Sequence, residues 1–518
     1  MSKFNRPISP RVPDAVTAEG GDGFSRSAKD ELFLLGIANM VGEDTFYEDG
    51  QGRDNRFAAL VQQTTRSDPK WTANFIRWLR SEANMRSAPI VAAAEYVRAG
   101  GPDGRQLVSS VLQRPDEPGE MLGYWFNTYG RHIPQPVKRG VADALPTLYT
   151  ERNTLKYDGS GNAIRFGDVV DLVHPKPSTP KSSALYRHLI DRRHGRGSEI
   201  DGRLVTIIAD NDLMHMPPPE RRAHIQDAIA VGWSWERLAG WLPGGMNAHG
   251  WEAVIPNMGL MALTRNLRNF DEAGISDMMV HAITGRFLDP EEVRKSRQFP
   301  LRFLTAWKNV QSMRWGLALE SALESSVSNV PSLGGKTLLL VDVSGSMIDV
   351  ATTQRKDARA RQAASIARWE VASLFATSIA KRAEDADVVL FNTRPVATLK
   401  VAKVDSALRA AQETKRFVGG GTNIMGSLAS AYANHDRVII LTDEQTSARW
   451  HGDQAPRCPV YVWNLGGYRV GVTPNERNWH TFGGLTDAAF KLIPLLEGRR
   501  RDVWPWEVAR MTSGISAS

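Results

Sequence analysis

The hydrophobic period of this chain changes once, and the change calls for a different architecture on each side. After the turn-rich stretch Pro331-Ser332-Leu333-Gly334-Gly335, the run Thr337 to Val343 (TLLLVDV) is short and almost continuously apolar. A strand reads this way when both of its faces are buried, as in a parallel sheet covered by helices. Further runs follow at Asp387 to Phe391, Val438 to Leu441 and Val460 to Trp463. Helical patterns separate them near Arg361 to Arg382, Val404 to Glu413 and Ile424 to Ala433, and Asp487 to Leu496 reads as the last helix. Strands alternating with helices predict a doubly wound α/β sheet, whose ligands sit beyond the carboxyl ends of the strands.

Before that boundary, from about Lys29 to Ser326, the chain reads as helix after helix. Ser67-Asp68-Pro69 supplies a cap and a first-turn proline, and Trp71, Phe75, Trp78 and Leu79 then recur on one face. Pro136 opens a similar piece with Val137, Val141 and Leu145 inward and Pro146 at its end, and Asp289-Pro290 opens another. Strand signals are scarce. Degenerate helical-pair repeats of the HEAT type satisfy this pattern, because each pair buries its apolar face on its neighbours.

Composition narrows the class. A chain of 518 residues with 42% hydrophobic and 23% charged residues can bury a sizeable core. The 64 basic against 57 acidic residues give a mild excess of +7, which permits a polyanionic partner without demanding one. The single Cys458 excludes an internal disulfide and a cysteine-based zinc site, as expected in a reducing compartment. The first residues carry Lys3, Arg6 and Arg11 without an apolar core, and apolar stretches such as Val371 to Ala380 fall short of the roughly 20 residues of a membrane span. A soluble, cytoplasmic protein is expected.

The chemistry concentrates at strand ends. Asp342-Val343-Ser344-Gly345-Ser346 closes the first strand, Gly419-Gly420-Gly421-Thr422 precedes a helix, and Thr442-Asp443 closes another strand. A donor set made only of oxygens suits a hard cation, Mg²⁺ or Mn²⁺. No base or nucleophile accompanies it in sequence, so it reads as a docking site, and no enzyme activity is expected. Asp-x-Ser-x-Ser alone is common in capping loops; the combination in this order is what carries weight. It resembles the metal-ion-dependent adhesion site of von Willebrand A domains. By that resemblance Ser344, Ser346 and Thr422 would bind the ion directly, and Asp342 and Asp443 mostly through water.

The helical half carries a second resemblance. Thr154 to Pro177 (TLKYDGSGNAIRFGDVVDLVHPKP) is similar to the segment of the TROVE module in which a Lys-Tyr pair precedes a loop, a helix and His-x-Lys-Pro. Thr17 to Gly21, Phe46-Tyr47, Leu260 to Leu267 and Phe299 to Arg302 agree in order. The chain therefore resembles the Ro autoantigen family over nearly its whole length. The resemblance implies a multidomain fold: residues 1–28 as an N-terminal extension, 29–334 as an all-α HEAT-like TROVE ring, and 335–518 as a von Willebrand A-like domain. It implies a monomeric ring that binds single-stranded 3′ ends of misfolded or unprocessed noncoding RNA in a central hole and Y-like RNA on its outer surface. It also implies work beside an exoribonuclease such as polynucleotide phosphorylase.

The residues support an RNA partner in part. Lys176, Lys181, Arg187, Arg192 and Arg193 belong to a basic stretch opposed only by Asp191, Glu199 and Asp201. Such cations neutralise phosphates. Further clusters are Arg294, Lys295, Arg297 and Arg302, and Arg77, Arg80 and Arg86 among Trp71 and Trp78. These two tryptophans lie on the apolar stripe and read as core before base platforms. Lys156 and His174 enter through the resemblance. The family offers a basic side chain before an Asn in the loop at 158–162; here the nearest is Arg165, shifted in position. The rival reading is a protein-binding adaptor that uses the metal site and the repeats as docking platforms. A partner of a chelatase-type ATPase is weaker, since no phosphate-binding Gly-Lys-Ser/Thr loop is present. A nuclease is weaker too, since a second metal and a general base are lacking.

Overall fold

The computed structural model describes residues 14–17, 21–23, 25–38, 50–197, 199–310, 312–348, 366–446, 456–466, 471–472, 479–483 and the positions 490, 493, 494, 497, 504 and 506. The chain forms two compact units, one from residues 61–81 and 85–284, the other from residues 1–60, 82–84 and 285–518. The expected last helix at 487–496 lies largely outside the described residues, as does Phe46-Tyr47.

The first unit is helical. Pro69–Ser81 starts where the cap and proline placed it: Asp68 Oδ1 accepts the Trp71 N–H at 3.0 Å. Trp71, Phe75, Trp78 and Leu79 are buried, at 4%, 0%, 6% and 0% exposure, so the tryptophans are core. In Gln135–Leu148 the residues Val137, Val141 and Leu145 are likewise fully buried. Pro146 sits inside that helix, two residues before its end, so the helix stops within two residues of the expected point.

Buried carboxylates staple these helices together, and each is fully provided with donors, as a buried charge requires. Glu117 accepts two bonds from Arg80 Nη2, at 2.7 and 2.9 Å, and the N–H groups of Gln113 and Arg114 at 2.7 and 2.9 Å. Glu95 takes the Tyr124 and Tyr129 hydroxyls and Gln62 Nε2. Burial and the Glu95 carboxylate push both phenols well above their ordinary range, which keeps them donors. Glu151 accepts the N–H groups of Thr206 and Ile207, at 2.8 and 3.0 Å, at the start of helix Val205–His215.

The second unit contains the sheet. Its strands are β3 (Leu333–Asp342), β4 (Ala383–Phe391), β5 (Pro395–Leu399), β6 (Arg437–Thr442), β7 (Val460–Asn464) and β8 (Trp479–Gly483), following a small N-terminal hairpin of β1 (Ala15–Val16) and β2 (Asp22–Gly23). The order is β5-β4-β3-β6-β7-β8, parallel except for β4 with β5. The four strands anticipated as apolar runs are thus the four at the centre. Leu338, Leu340, Phe391, Val438, Ile440 and Val462 pack on one face with Ile424 and Leu428. On the other face Phe375 of helix Arg368–Arg382 lies 4.8 Å from Trp463 and 5.0 Å from Phe490, centroid to centroid.

This unit begins before the sheet does. The helices Pro290–Lys295, Pro300–Asn309 and Gly316–Val327 group with it, ahead of the limit at 334 read from the sequence. Two ion pairs and a hydrogen bond tie them in. Lys308 Nζ is 2.7 Å from Glu370, Glu324 pairs with Lys381, and Glu320 accepts the Ser406 hydroxyl at 2.6 Å.

Candidate metal centre and nucleic-acid interface

The winding of the sheet reverses between β3 and β6: the chain leaves β3 for β4 on one side and β6 for β7 on the other. The carboxyl ends of these two strands therefore flank a crevice, the place where open α/β sheets bind ligands. Asp342 ends β3 and Asp443 follows β6, and both are fully buried, as are Ser344 and Thr422, with Ser346 at 7%.

Hydrogen bonds shape the three loops as one body. Asp342 Oδ1 accepts the Ser344 N–H at 2.9 Å, and Asp342 Oδ2 accepts the Thr442 hydroxyl at 2.6 Å. Asp443 Oδ1 accepts the Gln445 N–H at 3.2 Å. The glycine-rich loop is laced to the first loop by Gly345 N–H to Gly420 O at 2.8 Å and Gly419 N–H to Val343 O at 2.7 Å. Gly420 is required there: its φ is +87°, and a Cβ would stand 3.3 Å from Asn392 Nδ2. The Thr446 hydroxyl donates to Thr422 O at 2.7 Å, joining the loop after β6 to the glycine-rich one.

The donors fit a hard cation. Thr422 Oγ1 is buried with no hydrogen-bond partner among the described residues, and the Ser344 and Ser346 hydroxyls lie 3.3 Å from each other. Hydroxyl oxygens left this way beside two buried carboxylates have lone pairs to give. Burial first, and the Asp443 charge second, push the Asp342 carboxyl up to about 7. A bound dication reverses that logic by favouring the ionised form. Among the described residues no cluster of three or more His, Cys, Asp or Glu side chains is placed to hold a metal, so hydroxyls are essential to this set.

The basic stretch separates into two groups. Asp158, at 4% exposure, accepts the Phe166 N–H at 2.9 Å, and both Arg165 and Arg192 stand 3.4 Å from its carboxylate. Arg193 binds Asp168 at 2.6 Å, and Lys181 binds Glu151 at 2.6 Å. These four cations are engaged within the helical unit. The others face solvent. Lys156 lies at the end of helix Glu151–Tyr157, its ammonium 5.1 Å from the Tyr157 ring. His174 caps helix Phe166–Val173 at φ +48°, and Lys176 follows in the loop leading to helix Pro180–Arg193. Arg187 projects from that helix at 84% exposure, 3.9 Å from Asp191.

The other basic clusters fare differently. Arg80 is spent on Glu117, and Arg86 binds Asp116 and Glu120, so these two are structural. Arg294 pairs with Glu291 at 2.6 Å. Sequence reasoning named Thr442 without giving it a role, and it passed over Glu444 and Thr446, beside Asp443, and the acids Glu151, Asp158 and Asp168. Glu444 and Thr446 follow directly on a recognised motif, which was the available signal; the acids gave none.

Residues 229–373 match the TROVE domain. The chain is 23% identical over 499 residues to a Deinococcus radiodurans protein named RNA-binding protein RO60, covering 88% of each. The crystal structure of the Deinococcus radiodurans RO (RSR) protein aligns with a TM-score of 0.66 at 18% identity, covering 90% of this chain and 99% of that one. The match supports the helical-plus-doubly-wound fold. Among the described residues no helix is long and apolar enough to cross a membrane.

Proposed function

For this Ro-family chain with its TROVE domain, we propose RNA binding without catalysis. The observation that carries the reading is likeness along 88% of the chain to a protein named for RNA binding. In finer terms, the protein acts in the cytoplasm as a monomeric ring of the Ro type. Single-stranded 3′ ends of misfolded or unprocessed noncoding RNA enter its hole, Y-like RNA lies on the basic outer surface, and an exoribonuclease of the polynucleotide phosphorylase kind works beside it. The exposed Lys156, His174 and Lys176 are its leading phosphate contacts, because side chains already engaged by carboxylates have less charge to offer a phosphate, and Arg187 joins them because its pairing with Asp191 is loose, at 3.9 Å, on a side chain 84% exposed. Isolation of the protein from its native host and sequencing of the RNA that accompanies it tests this. Enrichment of small structured RNA supports it; RNA at background level removes it.

The second element of the proposal is a Mg²⁺ or Mn²⁺ ion held by Ser344, Ser346 and Thr422, with Asp342 and Asp443 behind them. The buried Thr422 hydroxyl carries this reading. Mn²⁺ binding followed by electron paramagnetic resonance is expected for the native protein and lost in Asp342→Ala with Ser344→Ala, while RNA affinity is kept. The adaptor reading gains one point from the internal pairing of Arg165, Arg192, Arg193 and Lys181. It requires RNA affinity that is weak and indifferent to salt.

A further inference from the structure

The loop that follows β6 is held by the N-terminal segment of the chain. The hairpin of β1 and β2 pairs Ala15 with Gly23 and Val16 with Asp22. At its turn the Gly21 N–H points at Thr446 O, 3.0 Å away, and the Thr17 hydroxyl donates to the same carbonyl. Thr17 is buried, at 4% exposure. Nine residues further on, the Arg26 guanidinium pairs with Glu444, with 4% and 0% of the two side chains exposed. Glu444 also accepts Asn464 Nδ2. Its backbone lies at φ +61°, a conformation that a non-glycine residue holds only when its surroundings impose it. The surroundings here are the strap formed by residues 14–17, 21–23 and 25–27, Asn464, and the Thr442 hydroxyl, which accepts the Glu444 N–H at 3.0 Å.

Those contacts reach the oxygen cluster by two short routes. Thr446, held by the hairpin at its carbonyl, donates its hydroxyl to Thr422 O at 2.7 Å. Thr442, holding the Glu444 N–H, donates to Asp342 at 2.6 Å. Asp443 lies between the two. Three successive buried positions, Thr442, Asp443 and Glu444, are thereby fixed from both sides, and Arg26 supplies the counter-charge for a third buried carboxylate beside Asp342 and Asp443.

We infer that the N-terminal strap is part of the metal centre: Thr17 and Arg26 are positioning residues that set the loop 442–446 for the ion, and strap docking and ion binding strengthen each other. The inference rests on the metal reading given above. Reciprocity follows from linkage, since whatever makes the docked strap favour the ion makes the ion favour the docked strap by the same factor.

The test uses the full-length protein with Mn²⁺ as the probe and needs no RNA. Thr17→Val removes the hydroxyl that donates to Thr446 O and accepts the Gly21 N–H at 3.1 Å, of which only the first bond reaches the loop, at constant charge and nearly constant shape. It is expected to weaken Mn²⁺ binding by about fivefold to tenfold, the worth of one buried hydrogen bond. Mn²⁺ is expected to slow amide exchange in residues 15–27 of the native protein, and not in Asp342→Ala. Arg26→Ala removes a cation near the ion and so tests charge against position: positioning predicts weaker binding, bare electrostatics tighter. Native Mn²⁺ affinity in Thr17→Val with unaltered strap exchange overturns the inference, as does tighter binding in Arg26→Ala alone. If the native protein itself fails to bind Mn²⁺, the metal reading fails instead.

Discussion

Replacing Asp158 by alanine separates the two roles that a basic stretch can play. Its carboxylate, at 4% exposure, accepts the Phe166 N–H at 2.9 Å at the start of a helix and faces two guanidinium groups at 3.4 Å. Arg192 also donates to Asp158 O at 2.9 Å, a bond the variant keeps. The loss comprises one buried N–H left without its acceptor and the uncompensated charge of Arg165, whose side chain is 16% exposed. Arg192, at 36%, is partly rehydrated and adds little. The sum is about 2–4 kcal/mol, below the full cost of breaking a wholly buried pair. In a unit of this size that lowers the melting temperature by roughly 5–12 °C. Scanning calorimetry reads the shift, and fluorescence anisotropy with a 3′-tailed RNA at 20 °C reads the affinity. Arg192→Ala, which gives up its bond to Asp158 O and a screened ion pair but leaves the Phe166 N–H and Arg165 in place, should lower stability by a smaller amount, about 1–2 kcal/mol, with RNA affinity within about twofold at low temperature. Lys176→Ala should do the opposite, leaving the melting temperature unmoved and cutting affinity by about threefold to tenfold. If Arg192→Ala melts like the native protein and flattens the salt dependence, then Asp158 only parks a cation that RNA recruits, and the division into engaged and available cations is wrong.

Other substitutions test separate parts of the account. Glu117→Gln leaves Arg80 buried without its counter-charge and should cost about 3–5 kcal/mol, read by chemical denaturation. Trp71→Ala and Trp78→Ala should each cost about 3–5 kcal/mol and leave low-temperature RNA affinity intact, since both rings are core; a selective loss of affinity would make them base platforms. Thr422→Val should abolish most Mn²⁺ binding yet leave the metal-free protein about as stable as before, because it keeps the side-chain volume and replaces a hydroxyl that makes no hydrogen bond among the described residues; a large drop in metal-free melting temperature would make the residue structural.

The parts of this fold that a reader of the sequence recovers are those with a local physical cause. The carboxyl-terminal halves of β3 and β4, and the whole of β6 and β7, are buried on both faces, so their apolar runs are unbroken and stand out from the helical period. β5 opens with a proline and is half exposed, as an edge strand is, and β8 reads Trp-His-Thr-Phe-Gly without a clear period, so neither announces itself. The oxygen cluster was legible because topology places strand ends together, and strand ends are visible in sequence. The fate of the cations was not. Arg192 and Asp158 are 34 positions apart, Arg80 and Glu117 are 37 apart, and only the packing of helices decides that they meet. The contribution of Thr17 and Arg26 to a loop more than four hundred positions away is hidden for the same reason.

The dependence of RNA affinity on salt, measured with matched RNAs that carry or lack a single-stranded 3′ tail, bears most directly on the proposed function. With Lys156, Lys176, Arg187 and His174 as the leading contacts, the tailed RNA should show a log–log slope of about −2 to −3, at roughly 0.7 per phosphate contacted. The blunt RNA should bind more weakly at every salt concentration. A slope near zero, or equal binding of tailed and blunt RNA, would contradict the account and leave the oxygen cluster of the sheet as the place to look for this protein's partner.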